Sequence, residues 1–150
     1  MRARGSVVIA REPADVFAYV SDPSNDLSWR SYLVASHAVD AELTVGSIIR
    51  QTYSYQGRSV DVDLEVTDYA PPEHIGLRAR GKIPARINLT CAPESGGTRF
   101  NMSGSAELTG PASLFEGRIQ RELDQTIATD LKRLKAALEG SGDSRSPRVV

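Results

Sequence analysis

Apolar and acidic residues alternate strictly along Val60-Asp61-Val62-Asp63-Leu64-Glu65-Val66, and a period of two predicts a strand with one buried and one wetted face. Its inner set is Val60, Val62, Leu64 and Val66. Just upstream, Gln56-Gly57 reads as a two-residue hairpin loop, which sets Tyr55 opposite Arg58 and then Tyr53, Gln51 and Ile49 opposite Val60, Val62 and Leu64. The same register puts Arg50 opposite Asp63 outside, a complementary pair that a one-residue slip would break. A second hairpin turning at Ser95-Gly96 pairs Cys91 with Phe100, Leu89 with Met102, Ile87 with Gly104 and Ala85 with Ala106. Its outer set, Arg86, Asn88 and Thr90 against Ser105, Ser103 and Asn101, is polar throughout. Both hairpins therefore predict a one-sided sheet whose apolar face needs a cover.

That cover is predicted from Pro111 to Leu138, where Phe115, Ile119, Leu123, Ile127, Leu131, Leu134 and Leu138 recur at helical spacing. Lys132, Arg133 and Lys135 complement the helix dipole in the last turns, and Gly140 is read as the stop. At the other end, Ser6 to Ala10 reads as a first strand. Pro13 suits a first helical turn, with Val16, Phe17 and Val20 on one face. Asp22-Pro23 stops that helix, and Ser24 or Asn25 is expected to cap a second short one through Leu27 and Trp29. Between these ends, Val45-Gly46, Gln56-Gly57, Pro71-Pro72, Lys82 to Pro84 and Ser95-Gly96 punctuate an antiparallel meander. The expected organisation is one domain over residues 1–139, with a disordered tail over 140–150.

Composition narrows the function classes. The chain has 150 residues, the size of a single domain with one core. Its 18 basic and 19 acidic residues give a formal charge of −1, without the basic excess that nucleic acid requires. The single Cys91 excludes an internal disulfide, and His37 and His74 lie too far apart in sequence for a metal-ligand spacing. Neither a metal nor a cofactor is expected. The apolar run Val7 to Ala10 is shorter than the roughly 7–15 residues of a signal-peptide core, and no stretch approaches the roughly 20 apolar residues of a membrane span. A cytoplasmic location follows as the expectation.

Several local motifs add a resemblance. Glu12-Pro13-Ala14-Asp15-Val16-Phe17-Ala18-Tyr19-Val20-Ser21-Asp22-Pro23 within Ile9 to Trp29, then Val45-Gly46-Ser47, Leu64-Glu65-Val66-Thr67-Asp68-Tyr69 with Pro71-Pro72, Gly97-Thr98-Arg99-Phe100, and Asp130-Leu131-Lys132-Arg133-Leu134-Lys135 with Leu138-Glu139 resemble the START/SRPBCC superfamily. The match favours its polyketide cyclase/dehydrase-like branch and covers roughly residues 4 to 139. The resemblance implies an α+β helix-grip fold: a curved seven-stranded antiparallel sheet around a long C-terminal helix, with two short helices after the first strand. It also implies a cavity between sheet and helix for a lipid, polyketide or other apolar molecule. It does not select between binding and catalysis.

The residues narrow that choice only partly. Gln51 falls among apolar side chains, where an unpartnered amide would cost roughly 1–3 kcal/mol, so it must meet a ligand, a water or a neighbour. Tyr53 and Tyr55 share its face and could orient a partly polar ligand or simply pack. Val62, Leu64, Leu89, Phe100, Met102, Phe115 and Ile119 complete the expected wall. Arg118 and Glu122, one turn apart, either reach the cavity mouth or pair with each other in solvent. His37 reads as a surface residue, a ligand contact or a base, Trp29 as a gate or an anchor, and Cys91 as packing. No nucleophile and base combination is visible, so catalytic residues stay unassigned. The expectation is a binder of a small hydrophobic molecule, with two rivals: a cyclase or dehydratase using His37, Gln51, a tyrosine or Arg118, and a protein-interaction domain. A homodimer is left open.

Overall fold

Strand pairing follows the two hairpin registers residue for residue. β3 (Ile48–Tyr55) and β4 (Arg58–Ala70) pair Tyr55 with Arg58, Gln51 with Val62 and Arg50 with Asp63. β6 (Ala85–Glu94) and β7 (Gly97–Ala106) pair Leu89 with Met102 and Cys91 with Phe100. With β1 (Arg2–Ile9), β2 (Leu33–Ala38) and β5 (His74–Arg80) they form one antiparallel sheet in the order β1-β7-β6-β5-β4-β3-β2. This computed structural model describes residues 1–148 apart from Lys82, with side chains through Gly140. The fold is the α+β helix grip: a curled seven-stranded sheet, two short helical elements after β1, and a long C-terminal helix packed on the sheet.

After β1 comes α1 (Pro13–Val20), which buries Val16, Phe17 and Val20. A 3₁₀ helix, Pro23–Ser28, follows. Its cap is Asp22, not Ser24 or Asn25. The Asp22 carboxylate accepts the Ser24 N–H at 3.0 Å, and Pro23 takes the first helical position, where no N–H is needed. The C-terminal helix also differs from expectation at both ends. Gly110–Phe115 forms a 3₁₀ turn, and α2 proper is Glu116–Arg148. Gly140 does not take the left-handed conformation that closes a helix, so the backbone stays helical beyond it. The tail expected after Gly140 ends in Val149 and Val150, which lie outside the described residues.

α2 lies against β1, and Gly5 permits the approach. A Cβ there would sit 2.7 Å from Ile127 and 2.8 Å from Leu131, closer than packed carbons tolerate. Polar ties reinforce the seam: Lys135 Nζ donates to the Val8 carbonyl at 2.7 Å, and the Ala10 N–H to Glu139 Oε2 at 2.9 Å.

Burial along α2 and the 3₁₀ turn before it is graded. Ile127, Leu131, Leu134 and Leu138 are in the core, Ile119 and Leu123 are partly buried, and Phe115 is 58% exposed. The facing hairpin grades in the same sense. Leu64 and Val66 are buried, Val62 is half-buried, and Val60 is 54% exposed although it belongs to the inner set. Sheet and helix close at one end and part at the other.

Candidate functional site

Where they part, a cleft of about 690 Å³ opens between the tip of the β3–β4 hairpin and the N-terminal half of α2. Tyr53 and Tyr55 line one wall, Phe115, Ile119 and Leu123 the other, and Tyr32 closes a corner. Tyr32 has φ 65°, a left-handed conformation uncommon for a residue with a side chain, and its ring meets Tyr55 edge-on at 5.1 Å. The mouth carries Arg118 and Glu122, 3.7 Å apart. The Tyr55 hydroxyl donates to Glu122 at 2.8 Å, a bond that raises the tyrosine pKa.

The deep end is polar and ordered by charge. Asp130, 1% exposed, stands on the buried stripe of α2. It accepts the Ser31 N–H at 3.0 Å and the Ser31 hydroxyl at 2.5 Å, while its other oxygen lies 3.5 Å from Arg30 Nε. Arg30 stacks over the Trp29 ring at 5.6 Å and donates from Nη2 to the Tyr53 hydroxyl at 3.3 Å. Burial works against its charge, but Tyr53, Asp26 and Asp130 more than offset that and hold the guanidinium pKa above its ordinary value.

From Tyr53 a relay of hydrogen bonds runs inward. Its hydroxyl donates to Gln51 Oε1 at 2.7 Å; the Gln51 amide donates to Asp26 Oδ2 at 3.1 Å and Ser36 Oγ at 3.3 Å; and Ser36 donates to Asp26 at 2.8 Å. Burial pushes the Asp26 carboxyl up to about 6, against the opposing pull of Ser36, Arg30 and Gln51. Beneath this network is a void of only about 20 Å³, lined by Asp26, Trp29, Arg30, Gln51 and Leu89 among others.

The structure thus divides the expected wall. Tyr53, Tyr55, Phe115, Arg118 and Ile119 line the cleft. Leu64, Leu89, Phe100 and Met102 lie in the core, in one cluster with Phe17 of α1, Trp29, and Ile127 and Leu134 of α2, and α1 packs against β6 and β7. Val62 is partly buried and packs against that core. The Gln51 amide is satisfied by Asp26, Ser36 and Tyr53, so the buried position is explained by neighbours. Trp29 is an anchor, 1% exposed and edge-on to Phe100 at 6.1 Å. His37 is exposed, opposite Arg50 on the outer face. Cys91 is buried, and burial pushes its thiol up to about 11.

Sequence reasoning missed Arg30, Ser31, Asp26 and Asp130 as site residues. Only Asp130 carried a signal: it falls three residues after Ile127 and four before Leu134, where an acid would be buried on the apolar stripe. Arg30 and Asp26 sit in short irregular segments with no period to read. Among the described residues no three His, Cys, Asp or Glu side chains group to hold a metal, and no helix is long and apolar enough to cross a membrane.

Residues 1–139 match the family described as polyketide cyclase / dehydrase and lipid transport, and the chain belongs to that family. No curated protein sequence matches. Among solved structures, the protein TTHA0849 from Thermus thermophilus is similar at 18% identity, with a TM-score of 0.80 over 94% of this chain and 99% of that one. The KanY protein, solved in solution, is 22% identical, with a TM-score of 0.76 over 93% and 97%. Ara h 8.0201 is 10% identical, with a TM-score of 0.66 over 93% and 98%. At these identities the structural likeness concerns the fold.

Proposed function

We propose that this chain binds a small, mostly apolar molecule with one polar end, lying between the β3–β4 tip and the first half of α2. The observation that carries this reading is the cleft itself. Its volume of about 690 Å³ falls within the roughly 300–1,000 Å³ of ligand sites, and apolar walls leading to a few fixed polar groups are what such sites use. Phe115, Ile119, Leu123 and the faces of Tyr53 and Tyr55 would hold the apolar body. Arg30 would meet its carbonyl, hydroxyl or carboxylate, and the Ser31 and Tyr53 oxygens, whose protons go to Asp130 and Gln51, can accept from a hydroxyl. The ligand class is that of the family, lipid or polyketide. A cytoplasmic location, and either a monomer or a homodimer, are compatible with this role.

Thermal shift against medium-chain fatty acids and aromatic polyketides tests it, with Ile119→Trp filling the cleft from its exposed side. The wild type should gain stability with at least one compound and Ile119→Trp should not. Equal shifts in both proteins would place the ligand elsewhere.

One observation favours a second reading, cyclisation or dehydration of a poly-keto chain in the same cleft. Arg30 holds a fixed cation at its inner end, positioned by the Tyr53 hydroxyl that accepts from it at 3.3 Å, and a guanidinium there is suited to stabilise charge developing on a ketone oxygen. Unchanged turnover of a model polyketone in Tyr53→Phe and Arg30→Lys would remove it.

A further inference from the structure

The opposite face of the sheet carries a concentration of arginines. One cross-strand row runs Glu65, Arg78, Arg86, Ser105, Arg2 across β4, β5, β6, β7 and β1. Arg4, the next outward residue of β1, lies opposite Ser103, which is itself opposite Asn88. Arg78 is held by Glu65 at 2.8 Å. Arg2, Arg4 and Arg86 are exposed, and none of their side chains has an ion pair or hydrogen-bonded partner among the described residues.

This arrangement opposes folding. Like charges directly opposite on neighbouring strands are destabilising, and Arg86 lies opposite Arg78. A chain of formal charge −1 nonetheless gathers three unpaired cations around a concavity of about 770 Å³, whose wall also holds Asn88, Ser103 and Ser105. The concavity extends to the edge strand β1, where Ala3, Gly104 and, from α2, Gln120 and Asp124 also line it, and the Asp124 carboxylate accepts from the Gln120 amide at 3.1 Å. The lining therefore has three guanidinium groups against one carboxylate that already has a partner.

Guanidinium forks match oxyanions in a bidentate way, and the amide and hydroxyls can serve the remaining oxygens. Arg2 and Arg86 spring from strands separated by β7 alone, roughly 10 Å apart, a span that suits adjacent anionic groups better than a single one. The cluster is local and the chain is not basic overall, which disfavours a long nucleic acid. We infer that this arginine-lined concavity at the β1 side of the sheet binds a small polyanion bearing adjacent phosphate groups, at a site separate from the cleft.

Calorimetric titration with tripolyphosphate at low ionic strength tests the site in the full chain. Compared are the wild type, the triple variant Arg2→Ala/Arg4→Ala/Arg86→Ala, and Arg50→Ala, whose outward arginine is already paired with Asp63. The wild type and Arg50→Ala should bind alike, with affinity falling as salt is added, while the triple variant loses about tenfold or more. Without anion the triple variant should melt no lower than the wild type, because repulsion has been removed. Vesicles of phosphatidylcholine with and without phosphatidylinositol phosphates form a second arm: binding to the phosphorylated vesicles alone, with the same arginine dependence, assigns the phosphates to a lipid headgroup. Undiminished binding in the triple variant, equal loss in Arg50→Ala, binding to neither tripolyphosphate nor the phosphorylated vesicles, or a lower melting temperature of the triple variant without anion would each overturn the inference.

Discussion

The two ends of the grip are built from similar residues and do different things. At the closed end, Leu131, Leu134 and Leu138 of α2 meet Ile9, Phe17 and Phe100 in one core cluster. At the open end, Phe115 and Ile119 face Tyr53 and Tyr55 across a cleft of about 690 Å³. Both halves of α2 present an apolar stripe, so hydrophobicity alone does not decide which half is core. The difference lies in what approaches from the other side. Gly5 lets the helix settle on β1 at one end, whereas at the other Arg30 and Asp130 hold a polar group between helix and sheet.

The largest effects should therefore divide by end. Phe100→Ala should cost about 3–5 kcal/mol and Leu134→Ala about 2–5 kcal/mol of stability by denaturant unfolding. The same truncation at Ile119 or Phe115 should change stability far less and weaken ligand binding instead. Comparable losses at the two ends would dissolve the distinction. Between the ends, Asp130→Ala should cost about 3–5 kcal/mol, since it strands the buried Arg30 and frees the Ser31 N–H. Asp130→Leu, of similar shape and with no charge, should leave Arg30 just as stranded. If instead Asp130→Leu matches the wild type in stability, the charge is not what holds the wedge.

The smaller effect is a dependence on pH. The Asp26 carboxyl titrates at about 6 in the fold against 3.8 as the ordinary value. Between these values the folded state holds the proton and the unfolded state does not, so stability falls as pH rises from about 4 to about 6 and the penalty is complete above that. Glu65, Glu94 and Glu139 are shifted the other way by Arg78, Arg99 and Lys135, and their contribution is lost as pH falls below the ordinary glutamate range. Asp26→Asn keeps an acceptor for Ser36 and Gln51 and should flatten the slope between pH 4 and 6 while leaving the acid limb. A slope that persists in this variant would assign the titration to another group.

What could be read in the sequence followed from periodicity and turns. Strict alternation plus Gln56-Gly57 and Ser95-Gly96 determined both registers, down to Arg50 opposite Asp63. Alternation states which way a side chain points, but not how far away the covering helix stands. That is why Leu89, Phe100 and Met102 were legible as inward residues and not as core rather than wall. Gln51 was legible as a buried amide, and its partners were not, because Asp26 and Ser36 reach it from a 3₁₀ helix and an edge strand with weak alternation. Arg30 follows a 3₁₀ helix with no apolar period around it. Only Asp130, an acid on an otherwise leucine-rich stripe, announced the polar end of the cleft.

The central claim is that the open end receives a guest and the closed end does not. An amide-resolved NMR titration with anilinonaphthalenesulfonate, an apolar ring system carrying one anionic group, tests it most directly. Saturable shifts are expected at Tyr32, Tyr53, Tyr55, Ile119 and Leu123, with Leu134 and Leu138 unmoved. Shifts centred on Leu134 and Leu138, or saturable binding that leaves Tyr53 and Ile119 unperturbed, would contradict it.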